Sequence, residues 1–165
     1  MSEVSTTSGI EKINELVKDI DIAMLVTMDA HGVPRSRPMG TQRVPFDGTL
    51  WFLTAEESLK VKEIRSDPRV NVSYASTGSA SYLSVSGSAA VVNDRALIEK
   101  FWNPFLRAWF EGPDDPSIRL IRVDVHEAEY WDTPGGRVAS LISLVKGAIT
   151  GNGENMNTDH RRLEL

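Results

Sequence analysis

Two short segments gather the side chains best suited to hold an anion. In residues 49–64 (TLWFLTAEESLKVKEI) an apolar, β-branched run ends at Thr54, and helical spacing begins near Glu56 to Ser58. Thr54 and Ser58 offer hydroxyls and Lys60 an ammonium, beside the free N–H groups of a helix start. Together these suit a phosphate monoester, because a helix N-terminus favours negative charge. Ser58 reads equally as an ordinary helix cap, and Lys60 as a solvated surface charge. Upstream, Arg35-Ser36-Arg37-Pro38-Met39 lies on an expected strand. Side chains alternate across a strand, so Arg35 and Arg37 face the same way. A phosphate dianion, with a charge of about −2, is commonly gripped by arginine. An exposed basic strand is the other reading.

Composition narrows the remaining chemistry. The 165 residues contain no cysteine, which removes disulfides, thiolate nucleophiles and cysteine metal sites. The three histidines, His31, His126 and His160, are far apart and show no ligand spacing. His31 falls in a turn and His126 on a strand, where both read as ordinary structural positions, and no metal site is expected. Net charge is −5, which argues against a protein that coats nucleic acid. No apolar run approaches the ~18 residues needed to span a bilayer. Met1 to Gly9 is polar, without the basic and apolar regions of a signal peptide. A cytoplasmic protein with no membrane or nucleic-acid partner is the expectation.

The elements that must position the two segments follow from pattern. Ser8 and Glu11 form a capping box, and Ile10, Ile13, Leu16, Val17 and Ile20 recur at helical spacing. Ala23 to Met28 is a strand, Asp29-Ala30-His31-Gly32 a turn, and Val33 to Met39 a second strand. Pro34 and Pro38 cannot donate to a ladder, so that strand needs an edge or a bulge. Strands are also expected at Thr49 to Thr54, Val70 to Ala75, Tyr82 to Val92 (with Gly87 marking a bulge or a close approach) and Ile118 onward, extending toward Trp131. Helices are expected over Glu56 to Arg65, from Asn93 or Asp94 through Phe101, in a short piece after Pro104, and over Val138 to Lys146. The aromatic cluster Phe101, Trp102, Phe105, Trp109 and Phe110 reads as packing or a dimer contact. Residues 1–149 form the expected domain and 150–165 a polar, loose tail. About six strands joined by hairpins and short helices suit an antiparallel barrel with peripheral helices.

The order GVPRSRPM (32–39), WFLTAEESLK (51–60), DPRVNVSY (67–74), a strand with Tyr82 and Gly87, then EYWD (129–132) resembles the pyridoxamine 5'-phosphate oxidase-like flavoproteins, and within them the general stress protein branch. The resemblance spans roughly residues 8 to 146. It implies a mainly β, split β-barrel fold and a homodimer with FMN at the subunit interface. It assigns Arg37 to the FMN phosphate, with Pro38, Met39 and Gly40 along the flavin edge. Leu53 and Thr54 become the strand-end pair beside the flavin, and Ser58 and Lys60 the phosphate-binding serine and lysine. Tyr82 takes the place of a polar residue that touches the ring. Trp131 becomes an aromatic that reaches the flavin from the partner subunit. Outside the resemblance, Tyr82 reads as a cross-strand aromatic and Trp131 as a core or dimer-contact residue.

The pattern also departs from the oxidases. Gln42 stands where they carry a lysine. After Trp131 the chain offers Arg137, with no histidine beside it, where they carry an arginine and a histidine for their substrate. The cofactor site is thus retained without the substrate site, and pyridoxamine phosphate oxidation is not expected. The resemblance implies a flavin-dependent oxidoreductase of unknown small-molecule substrate, or a flavin-binding stress protein without catalysis. The cofactor could be FAD rather than FMN, or a deazaflavin or haem as in other split-barrel branches.

Overall fold

The computed structural model describes residues 6–133 and 159–165. Its first helix, α1 (Thr6–Val17), packs Ile13 and Leu16 into the core. It starts before Ser8, so the expected capping box does not begin it. Asn14 pins this helix to the loop ahead of the third strand, donating to the Phe46 carbonyl at 2.8 Å and accepting its N–H at 2.7 Å. Strands β1 (Ile22–Met28) and β2 (Pro34–Gly40) form the expected hairpin. The Asp29 carboxylate closes its turn, accepting the N–H groups of His31 and Val33 at 2.9 Å each, and Gly32 supplies the positive φ of +73°.

The remaining elements are β3 (Thr49–Ala55), α2 (Leu59–Ser66), β4 (Arg69–Ser76), β5 (Ser81–Val92), α3 (Arg95–Phe101), a 3-10 turn (Pro104–Ala108), β6 (Ile118–Asp132) and β7 (Asp159–Glu164). Asp94 caps α3 by accepting the Leu97 N–H at 3.1 Å. The expected helix over Val138 to Lys146 lies outside the described residues. No helix among the described residues is long and apolar enough to cross a membrane.

All seven strands join one antiparallel sheet in the order β2-β1-β4-β5-β6-β3, with β7 also paired to β6. β6 organises it. One edge follows β5 throughout, from Val92↔Leu120 to Tyr82↔Trp131. The other edge takes β3 along its first half and β7 along its second. β2 and β3, the two ends of the order, approach each other without a ladder among the described residues, which leaves the barrel with a split seam. The edge position of β2 explains its tolerance of Pro34 and Pro38. Gly87 sits at the register shift in β5, where an added Cβ would lie 2.1 Å from the Asp124 carbonyl oxygen. Only glycine fits that approach.

One correction concerns the C-terminal residues. Residues 159–164 form a seventh strand rather than part of a loose tail. The segment DHRRLE reads as polar because it buries only Leu163, which lies against Gly9 of α1. Polar side-chain contacts accompany its ladder: Arg162 with Glu127, His160 with Glu129, and the Tyr130 hydroxyl donating to Asp159 at 3.2 Å. These partners become visible only once β6 is known.

The core has two parts. Inside the barrel lie Leu25, Phe52, Val72, Leu83, Val85, Ile121 and Val123. On the outer side of β3, α3 and the 3-10 turn cover a smaller cluster of Ile98, Phe101, Phe110, Ile118 and Leu120. Phe101 and Phe110 therefore serve packing, as expected, whereas Phe105 and Trp109 remain 86% and 74% exposed.

Candidate phosphate-binding site

β2, β3 and the start of α2 bring the cationic and hydroxyl side chains together. Arg37 stands opposite Leu25 in the β1–β2 ladder and so shares its inward face. Its Nη2 donates to Glu63 Oε2 at 2.8 Å. Its Nη1 donates to the Thr27 hydroxyl and, at 3.4 Å, to the Leu25 carbonyl. Thr27, fully buried, donates in turn to Glu63 Oε2 at 2.5 Å. Arg35 shares the face but not the site. Its Nε binds Asp29 at 2.9 Å, and it belongs to the hairpin turn.

The second half comes from β3 and α2. Thr54 points inward and is buried. Lys60 Nζ donates to its hydroxyl at 3.1 Å, and Ser58 Oγ lies 3.2 Å from the same oxygen. Ser58 occupies the N-cap position of α2, yet its side chain makes no capping hydrogen bond. The cap reading therefore fails for the hydroxyl, which turns to Thr54; the Val61 N–H donates to the Ser58 carbonyl at 3.1 Å, and the N–H groups of Leu59 and Lys60 are left for another acceptor. Outside the site, Glu56 anchors the helix start by pairing with Arg65 at 2.7 Å and Arg119 at 2.6 Å.

Electrostatics couple the two halves. Burial, and then the positive charge of Arg37, lower the Lys60 pKa below the ordinary lysine value, with Glu63 opposing them. Two cations thus act on each other, with the Arg37-bound carboxylate of Glu63 offsetting their repulsion. A bound anion would relieve the repulsion and stabilise the charged form of Lys60. Thr27 and Glu63 were not singled out by sequence reasoning. A threonine inside an apolar strand and a glutamate on a charged helix carry no local signal of their partnership.

The other expected residues lie elsewhere. The Met39 side chain is buried in the main core, whereas Pro38 and Gly40 are exposed on the edge strand. Leu53 faces the smaller cluster under α3, so it turns its side chain away from Thr54. Tyr82 and Trp131 are cross-strand partners at the far end of β6. Thr54 pairs with Arg119, near the start of that strand. Twelve residues at ~3.3 Å each separate the two positions by up to ~40 Å along the strand. Within one protomer they also face opposite sides of the sheet, Thr54 inward and Tyr82 and Trp131 outward.

Trp131 has a companion that sequence reasoning missed. The His160 ring from β7 stacks on it, with centroids 4.9 Å apart and planes within 8°. His160 Nε2 lies 2.6 Å from Glu129. The pairing joins residues 29 positions apart, and only the β6–β7 register shows it. Arg137 lies outside the described residues.

Tyr82 and Trp131 belong to the outer sheet face. The row Pro38–Met24–Ser73–Ser84–Glu129 crosses five strands of it. Its centre is flat and hydroxyl-rich, with Asn71 donating to Ser84 and Ser86. Ile22, Met24 and Tyr82 stand exposed on it at 56%, 39% and 45%.

Comparison with known proteins places this geometry in context. The family model for pyridoxamine 5'-phosphate oxidase like proteins matches residues 8–155. The chain is 31% identical over 167 residues to Protein bli-3 of Neurospora crassa, covering 94% of this chain and 80% of that one. It is 30% identical over 118 residues to General stress protein 26 of Bacillus subtilis, covering 69% and 81%. Among solved structures it is similar to the general stress FMN/FAD binding protein from Xanthomonas citri. That match has a TM-score of 0.66 and 29% identity, over 77% of this chain and 90% of that one.

Proposed function

The chain belongs to the pyridoxamine 5'-phosphate oxidase-like family, and from that premise we propose that it binds FMN at an interface between two copies of itself. The observation that carries the reading is Lys60 on the Thr54 hydroxyl with Ser58 beside it at an uncapped helix start, and Arg37 near enough for its charge to act on Lys60. Two cations, two hydroxyls and free N–H groups match the charge and acceptor count of a phosphate monoester. The Xanthomonas citri relative, described as an FMN/FAD binding protein, supports a flavin as the group that carries the phosphate.

The placing of the two halves on opposite faces of the sheet supports a dimer, in which a second copy contributes Tyr82 and Trp131 to the flavin. The outer sheet face, with Ile22, Met24 and Tyr82 uncovered, is the surface on which that copy would pack. Trp131, held flat by His160, is suited to lie against an aromatic ring system.

Bound FMN supplies a two-electron redox centre, and a flavin-dependent oxidoreductase acting on a small molecule is the activity this reading favours. The chain's own residues bind and orient. Arg37, Lys60, Thr54 and Ser58 fix the phosphate end, the exposed backbone of β2 from Pro38 to Gly40 borders the cofactor, and Trp131 of the partner subunit covers it. Titration of apo-protein with FMN and with riboflavin tests the reading. Wild type is expected to prefer FMN, and Arg37→Ala combined with Lys60→Ala to lose about a hundredfold or more of that affinity. Unchanged affinity in the double variant would overturn the phosphate assignment.

A further inference from the structure

One group in the site has the wrong sign for an anion. Glu63 lies within the phosphate-binding cluster, its side chain only 13% exposed, and its Oε2 accepts from both Arg37 and Thr27. A buried carboxylate beside an anion subsite repels the ligand, yet this one is built in by two hydrogen bonds. Its benefit falls on the empty site. Without it, Arg37 and Lys60 would face each other partly buried with no counter-charge, and the Thr27 hydroxyl and Arg37 Nη2 would lose an acceptor.

We propose that Glu63 is a resident counter-charge that holds Arg37 in its binding orientation when the site is empty and limits how tightly the site holds a phosphate. The inference rests on the FMN reading for the identity of the ligand, but not for the sign of the effect. Arg37 and Lys60 supply two positive charges and Glu63 returns one negative charge. The pocket therefore retains a small net positive charge, to which the α2 N-terminus adds a partial one. A phosphate monoester of about −2 then slightly exceeds the positive charge of the pocket, where two unopposed cations would slightly exceed the phosphate. Such a site releases and rebinds its ligand more readily than one with both cations unopposed, so the cofactor is exchangeable rather than permanently held.

The carboxylate's two roles separate by substitution. Glu63→Gln keeps an acceptor oxygen for Arg37 and Thr27 and removes only the charge. Glu63→Ala removes both. Affinities of wild type and both variants are measured for FMN, riboflavin and inorganic phosphate by titration of the apo-protein. Glu63→Gln is expected to bind FMN and inorganic phosphate about tenfold more tightly than wild type, with riboflavin unchanged. Glu63→Ala is expected to fall below Glu63→Gln for both phosphorylated probes, because Arg37 is no longer held. If wild type fails to bind FMN while Glu63→Gln still tightens inorganic phosphate, the flavin reading falls and the counter-charge stands. If Glu63→Gln does not tighten inorganic phosphate, or tightens riboflavin equally, the counter-charge is overturned whatever FMN does.

Discussion

Lys60 is the residue whose chemistry depends most on its surroundings. Burial and the nearby Arg37 both lower its pKa from the ordinary lysine value. A bound phosphate favours its charged form. Binding therefore takes up protons on the alkaline side, and affinity for FMN should fall as pH rises through the lowered Lys60 pKa, below the usual lysine range near 10.4. Lys60→Arg, which stays charged throughout, should flatten that fall while keeping binding at neutral pH. An alkaline loss of the same size in Lys60→Arg would show that another group titrates. At this scale the sequence exposes the types and not the partners. Arg37, Thr54, Ser58 and Lys60 stand out because hydroxyls and cations cluster at a strand end and a helix start. Thr27 and Glu63 do not, because each meets the site only through the β1–β2 ladder and the packing of α2.

At the scale of elements, the strand-turn-helix order around the site was readable. The turn signals Asp29-Ala30-His31-Gly32 and Asp67-Pro68 are local, and so are the β-branched and aromatic run of β3 and the alternation IRLIRVDV at the start of β6. The bulge at Gly87 was readable as well, since a glycine inside a long strand marks such a place. β7 was not. A strand whose interior holds one apolar residue among a histidine and two arginines has no amphipathic signature, and its pairing with the acidic second half of β6 is a tertiary fact. Its stability rests on Leu163, 4% exposed against Gly9 and opposite Ala128. Leu163→Ala should lower unfolding stability by about 2–3 kcal/mol, measured by denaturant unfolding. A change under about 0.5 kcal/mol would mean that β7 does not dock as described. If β7 detaches, His160 also leaves Trp131, so the variant should change the tryptophan fluorescence of the native protein.

For the whole molecule, the governing fact is that one long strand, β6, carries the two halves of the proposed site to opposite ends. Trp131 reads locally as an aromatic at a strand end, and Thr54 as a polar residue at another. Nothing in the spacing of either shows how they stand to one another. The register of β6 with β3 and β5 sets them twelve residues apart along that strand and on opposite faces of the sheet, which is why the FMN reading calls for a second copy. Mixing two inactive variants tests that requirement most directly. Arg37→Ala/Lys60→Ala lacks the phosphate end and Trp131→Ala lacks the stacking aromatic, so each alone should bind FMN poorly. Co-refolded in equal amounts, they should regain wild-type FMN affinity at one site per mixed dimer, because one interface then combines an intact phosphate end with an intact Trp131. A mixture that binds no better than its two components would contradict a site shared between subunits.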